Sequence, residues 1–351
     1  MPTLHDHYTS RFLATLPGCA VADAVSFPYK EYSRTYLRSL ARPVTSEYAR
    51  HPAGQHPPGQ YTERTQATLA VATSILEAGG VEAETAAEHL IPLWRDVLVI
   101  DADPSSTKAM TRLVEGVTDW RSSGHGEGVA TAAPLTRAVP VGLWDATEPE
   151  RIPQDAARVL RLTHNDSRVL GAGAGLAAAI GYNLRSEELV LGVLLDSISE
   201  AAGVFHEELA EAVHELPRIL SQTDVRAWEM IDDLLPDDRH PPREDGLGTY
   251  VVPVFLLSLY HFLKSPGDYE RAVNSSIKLG GEPGSVVSLT GALVASHQGG
   301  DGLPEGLLAD LINVREIDRL AHDLLHARMR ATETATMAEA ALREEEDGDA
   351  G

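Results

Sequence analysis

Apolar positions recur at helical spacing in several long windows. Ala67, Val71, Ser74 and Ala78 fall on one face of a helix, and 172–180, 189–198 and 286–294 repeat the period, whereas the period-two alternation of strands is scarce. Glycine, proline and small polar residues interrupt the chain at 51–59, 122–128, 147–153, 236–248 and 279–283. The pattern predicts an all-α protein, a single compact many-helix bundle with irregular loops. No repeat of fixed period suggests a solenoid. With no linker-like stretch inside it, 1–343 reads as one domain, followed at 344–351 by the acidic run EEEDGDAG, expected to be a disordered tail.

Composition narrows the picture. Hydrophobic residues make up 43% and aromatics only 5%, so the core must be built mainly from Ala, Leu and Val, with glycine permitting close helix contacts. A formal net charge of −23 repels phosphate backbones and anionic membranes, so neither nucleic acid nor membrane is an expected partner. Cys19 is the single cysteine, which excludes an internal disulfide and a multi-cysteine zinc site and fits a reducing compartment. The opening MPTLHDHYTSRF lacks a signal peptide's basic start and apolar run, and no uncharged apolar stretch approaches the roughly 18 residues of a membrane helix. A cytoplasmic location is expected.

Five segments, in order, carry a resemblance. They are GCAVADAVSFP at 18–28, YTERT at 61–65, GHGEG at 124–128 running on to APL at 133–135, THND at 163–166 before a small-residue helix, and GTYVV at 248–252 together with LGGEPGS at 279–285. In this order they resemble the ADP-ribosylglycohydrolase family, which includes the dinitrogenase-reductase-activating glycohydrolases. The resemblance implies an all-α fold with a cleft for an ADP-ribose-like ligand, and Tyr250 as the aromatic that stacks on the adenine side. It also implies a magnesium site built from Thr-Asp-Asp-Thr and Asp-Thr-Asp-Thr motifs. Carried across, the four metal-site aspartates are Glu63, Arg64, Glu282 and Gly284 here, the two ligand threonines are Thr62 and Ser285, and a family arginine corresponds to Thr131.

Two carboxylates in place of four cannot build a two-metal site, and a guanidinium puts a fixed positive charge where a dication should sit. No cofactor is therefore expected, with magnesium weak or absent. A Glu63–Arg64–Glu282 cluster is expected to neutralise the old ligand shell. Arg64 falls in a first helical turn, where the dipole disfavours a cation, while Thr62 suits an N-cap. If two helices begin at this place, their free amides join Arg64 in favouring an anion.

The candidate acid–base residues are Glu63, Glu127, His164 and Glu282; the candidate ligand-binding residues are Thr62, Arg64, His125, Tyr250 and Ser285. Asp166 reads as a helix N-cap. The expected function is a metal-free cleft that binds a nucleotide-like or other anionic small molecule. The alternatives are a repurposed metal-independent hydrolase or lyase with Arg64 as anion anchor, and an acidic scaffold for a protein partner.

Overall fold

The computed structural model describes the backbone of residues 4–240 and 246–349 and the side chains of 6–240 and 246–334. Its α-helices in chain order are α1 (Leu4–Ser26), α2 (Arg34–Arg38), α3 (Glu63–Ala78), α4 (Ala83–Arg95), α5 (Pro104–Val114), α6 (Val139–Trp144), α7 (Ile152–Leu160), α8 (Ser167–Arg185) and α9 (Leu191–Gly203). They continue with α10 (Glu207–His214), α11 (Leu216–Leu220), α12 (Asp224–Asp232), α13 (Val251–Lys264), α14 (Tyr269–Ile277), α15 (Gly284–Gln298), α16 (Glu305–Asp310) and α17 (Val314–Asp349). Short 3₁₀ turns, chiefly Ala133–Ala138, join them. Among the described residues there is no strand, only three isolated bridges, and no helix is long and apolar enough to cross a membrane.

The four apolar windows fall on α3, α8, α9 and α15. Three long helices lack a solvent face over most of their length: α15 is buried from Gly284 to Ser296, α8 from Val169 to Leu184 and α13 from Val251 to Phe262. A helix apolar on every side must be surrounded by others, and these three form the middle of the bundle. Close approach makes small residues necessary there. A Cβ at Gly291 of α15 would stand 2.4 Å from Ala22 Cβ and 2.7 Å from the Gly18 carbonyl of α1, so only glycine lets the two helices meet.

Helix starts follow the capping residues that the sequence supplies. Thr62, Asp103 and Asp166 cap α3, α5 and α8, each accepting a backbone N–H of the first turn. The backbone of α17 continues to Asp349, so the stretch expected to be a disordered tail falls partly on this helix and partly, at 350–351, outside the described residues. The 236–248 loop is described at both ends; 241–245 lie outside the described residues.

Candidate functional site

Helices α3 and α15 bring their N-termini together, and Arg64 lies between them. Its Nε donates to Ser285 Oγ (3.1 Å) and its Nη1 to Thr62 Oγ1 (3.0 Å). The guanidinium is close enough to Gly284 that a Cβ there would stand 2.7–2.9 Å from it, so glycine is what makes room for Arg64. Beneath it lies Asp23 of α1, wholly buried, which accepts from Thr62 N (2.8 Å), Thr62 Oγ1 (2.9 Å) and Thr65 Oγ1 (2.8 Å), with Arg64 Nη1 3.7 Å away. Asp23 thus fixes the first turn of α3 and supplies the negative charge that offsets Arg64.

Glu63, one residue earlier, points the other way. Its Oε1 accepts from Arg137 Nη2 at 2.7 Å and its Oε2 from Asp103 N at 3.2 Å, with both partners of the ion pair buried. Burial pushes the Glu63 carboxyl up, and the Arg137 guanidinium opposes that. Arg137 also donates to Thr163 Oγ1 (2.7 Å), whose hydroxyl is 3.0 Å from His164 Nδ1; His164 Nε2 in turn lies 2.9 Å from Thr131 Oγ1. Burial, with Arg137 and His125 nearby, lowers His164 to about 3, so the ring is neutral. This sealed chain ties α3 to the glycine loop and to the start of α8.

On the opposite side Glu282 is only partly buried. Burial and a hydrogen bond with Glu31 raise its carboxyl to about 7, although Lys30 Nζ stands 3.7 Å away. Lys30 also pairs with Asp101 at 2.7 Å. A carboxyl titrating near neutrality, beside an amine and a guanidinium, can exchange protons with a bound molecule.

The third part of the site is the glycine loop and its cover. His125 Nε2 contacts the Ser105 carbonyl (3.0 Å), and burial lowers its pKa. Glu127 accepts from Ser167 N (3.0 Å) and so adds a second cap to α8. Asp166 accepts from Gly128 N (2.7 Å) and from Arg168; burial pushes its carboxyl up, but these bonds outweigh that and hold it at about 2. Arg168 reaches on to Asp237 (2.5 Å) and to the Tyr250 hydroxyl (3.3 Å). Arg239 lies against Gly128, and the His240 ring stacks on Tyr250 with centroids 5.2 Å apart and planes 6° from parallel. Residues 237–240 therefore strap the glycine loop to the face of Tyr250.

Three isolated bridges lace these loops together: His125 with His164, Thr131 with Tyr250, and Leu247 with Gly281. They join the very segments that carry the resemblance. Apart from Glu63, which Arg137 holds in the sealed chain, the expected residues fall into two groups. Thr62, Arg64, Glu282 and Ser285 meet at the convergence of α3 and α15, while His125, Glu127, His164 and Tyr250 belong to the laced loops.

Two expectations need correction. No Glu63–Arg64–Glu282 cluster forms, because Glu63 is engaged by Arg137, Arg64 is held by Thr62, Ser285 and Asp23, and Glu282 pairs with Lys30 and Glu31. His164 is fully buried with both ring nitrogens engaged, so it holds loops together and has no free nitrogen for acid–base work. Sequence reasoning gave Asp23 only as the acid of the first resembling segment, with no role in the site, and passed over Lys30, Glu31, Asp101 and Arg137. For Arg137 there was a signal: it stands alone in the run APLTRAVPVGLW, and a lone arginine in an apolar stretch implies a buried partner.

A fold of this kind, with this order of site segments, has relatives. The ADP-ribosylglycohydrolase family matches residues 4–334, and the chain belongs to that family. It is 26% identical over 325 residues to an uncharacterised protein of Archaeoglobus fulgidus, covering 91% of this chain and 97% of the relative. It is 22% identical over 332 residues to the ADP-ribosyl-[dinitrogen reductase] glycohydrolase of Rhodospirillum rubrum, covering 92% and 97%. Among solved structures, one described as an ADP-ribosylglycohydrolase-related protein complex superposes with a TM-score of 0.71 at 21% identity, covering 92% of this chain and 99% of that one.

Proposed function

We propose that this divergent family member binds an anionic, nucleotide-like small molecule in a cleft that works without metal, and is not a magnesium-dependent ADP-ribosyl hydrolase. The observation that carries this reading is Arg64, docked between the N-termini of α3 and α15 by Thr62 and Ser285. The side chains there do not suit magnesium, which takes near-octahedral oxygen ligands at about 2.0–2.1 Å. Glu63 is committed to Arg137, a guanidinium lies over Gly284, and no group of three or more His, Cys, Asp or Glu able to hold a metal ion occurs among the described residues. A guanidinium flanked by two helix N-termini favours a phosphate or carboxylate instead. The relative from Rhodospirillum rubrum suggests the ligand class, an ADP-ribosyl group.

Calorimetric titration with ADP-ribose, in magnesium and again with a chelator, tests the reading. Equal binding in both buffers, weakened at least about tenfold by Arg64→Gln, is the expected result; tenfold corresponds to about 1.4 kcal/mol. Magnesium-dependent binding, or magnesium-dependent release of ADP-ribose from a modified protein that Glu63→Gln abolishes, would refute it.

Glu282 favours a second reading, a metal-independent hydrolase or lyase. Its carboxyl at about 7, beside Lys30, is suited to moving a proton while Arg64 anchors the substrate's anionic group.

A further inference from the structure

The strap formed by 237–240 covers an aromatic ring of the candidate site. His240 lies flat on Tyr250, with centroids 5.2 Å apart and planes 6° from parallel, so a face of the tyrosine is already occupied by a side chain of the same protein. A second planar ring cannot share that place, because stacking needs contact across the ring face. Any molecule that stacks on this face of Tyr250 must first displace His240.

The strap is held by charge more than by packing. Asp237 Oδ2 accepts from Arg168 Nη1 (2.5 Å) and Arg239 Nη2 (2.8 Å), and Oδ1 accepts from Arg239 N (3.0 Å) and Nε (2.9 Å). The Asp237 carbonyl accepts from His240 N at 2.8 Å. One carboxylate between two guanidiniums therefore anchors the turn that carries the ring. Against this, His240 Nε2 is buried with no partner among the described residues, withdrawn from water without a replacement hydrogen bond. A cavity of about 170 Å³, lined by His240, Tyr250, Leu247 and Pro253 among others, leaves the strap bordering open space. A segment tied mainly through one carboxylate, beside a void and with an unsatisfied nitrogen, is of the kind that opens locally. Opening it leaves Asp166 paired with Arg168 and bonded to Gly128 N, so the glycine loop keeps its place.

We infer that residues 237–240 are a built-in competitor for the cleft: His240 holds the place of a ligand's planar ring on Tyr250, and Asp237 is the latch that keeps it there. The inference rests on the reading that the cleft takes a nucleotide-like molecule, and adds that the base of such a molecule binds only after the strap lifts. A sugar phosphate without a base has no use for the Tyr250 face and binds with the strap closed. Affinity for a base-bearing ligand is thereby reduced by the fraction of molecules whose strap is open.

The test compares ADP-ribose with ribose 5-phosphate, which has a sugar and a phosphate but no base, by calorimetric titration of the full chain, His240→Ala and Asp237→Asn. ADP-ribose should bind both variants about fivefold or more tighter than the parent, whereas ribose 5-phosphate should behave the same in all three. Amide exchange in the parent gives a second readout. ADP-ribose should speed exchange of the His240 amide, whose bond to the Asp237 carbonyl is lost on opening, and ribose 5-phosphate should not. ADP-ribose affinity that is unchanged or weaker in His240→Ala overturns the inference and leaves the reading of the cleft standing. So does slower exchange with ADP-ribose, which would make the strap a lid that closes over the ligand. Equal tightening of both compounds also overturns it, as a general loosening of the cleft. If parent and variants alike fail to bind ADP-ribose, the inference falls together with the reading on which it rests.

Discussion

Glu63 and Arg64 are neighbours in sequence, yet they belong to two different regions. Glu63 opens into a sealed interior where Arg137, Thr163, His164 and Thr131 hand hydrogen bonds from one to the next without reaching solvent. Arg64 opens onto a partly solvated rim with Glu282, Lys30 and Ser285. The turn of about 100° between consecutive helical residues separates them. In the sealed region a charge is tolerable only if it is paired, so those groups are committed to architecture. On the rim, water shares the cost of desolvation, and charged groups remain available to a ligand.

The largest effect should come from unpairing the sealed side. Arg137→Met leaves Glu63 as an uncompensated buried carboxylate and should cost about 3–5 kcal/mol in urea unfolding, whereas Glu63→Met/Arg137→Met together should recover most of that loss. A single-variant loss below about 1 kcal/mol, the range of a surface pair, would erase the contrast.

A smaller effect concerns pH. The Glu282 carboxyl sits at about 7 against an ordinary 4.5, so between those values the folded protein holds a proton that the unfolded chain has released. Stability from this group is therefore fully present below 4.5, falls as pH rises towards 7 and levels off above. Glu282→Gln should flatten that part of the profile, measured as the urea midpoint at pH steps from 4.5 to 8. An unchanged slope would show that the rim carboxyl titrates normally.

A smaller loss of folding stability than that of Arg137→Met, about 1–2 kcal/mol, is expected from Arg64→Gln: solvent can replace what Thr62 and Ser285 accept, and the buried Asp23, although it loses the guanidinium 3.7 Å away, keeps its hydrogen bonds from Thr62 and Thr65. A loss matching that of Arg137→Met would make Arg64 a structural group and would remove the distinction between rim and interior.

Much of this was legible in the chain. The apolar windows at 67–78, 172–180 and 286–294 lie on helices, and Thr62 and Asp166 cap the helices they were expected to cap. The convergence of α3 and α15 on Arg64 followed from the resemblance, which places Thr62 and Ser285 in one site; the breakers by themselves mark only where each helix begins. Which way each first-turn residue points was not legible. That depends on the rotation of α3 about its axis, which Asp23 fixes from 39 residues away. Lys30, Glu31 and Asp101 escaped notice because the backbone, and not any motif, brings them together: Glu31 and Asp101 adopt φ of 65° and 52°, left-handed turns that non-glycine residues seldom enter. Thr131 could be aligned with a family arginine, but the arginine that meets Glu63 lies six residues further on and enters from the 3₁₀ turn.

The bridges among the cleft loops bear on motion as well as shape. Asn165 N reaches the His125 carbonyl, Ala132 N the Thr249 carbonyl, Val251 N the Ala130 carbonyl and Glu282 N the Leu247 carbonyl, at 2.6–2.9 Å. Segments from 35 to 121 residues apart in sequence are thereby fastened to one another and to the ends of buried helices. Loops tied in this way open as one cooperative unit and not singly. A ligand bound as proposed would meet a largely preformed wall, with little ordering entropy left to lose on binding.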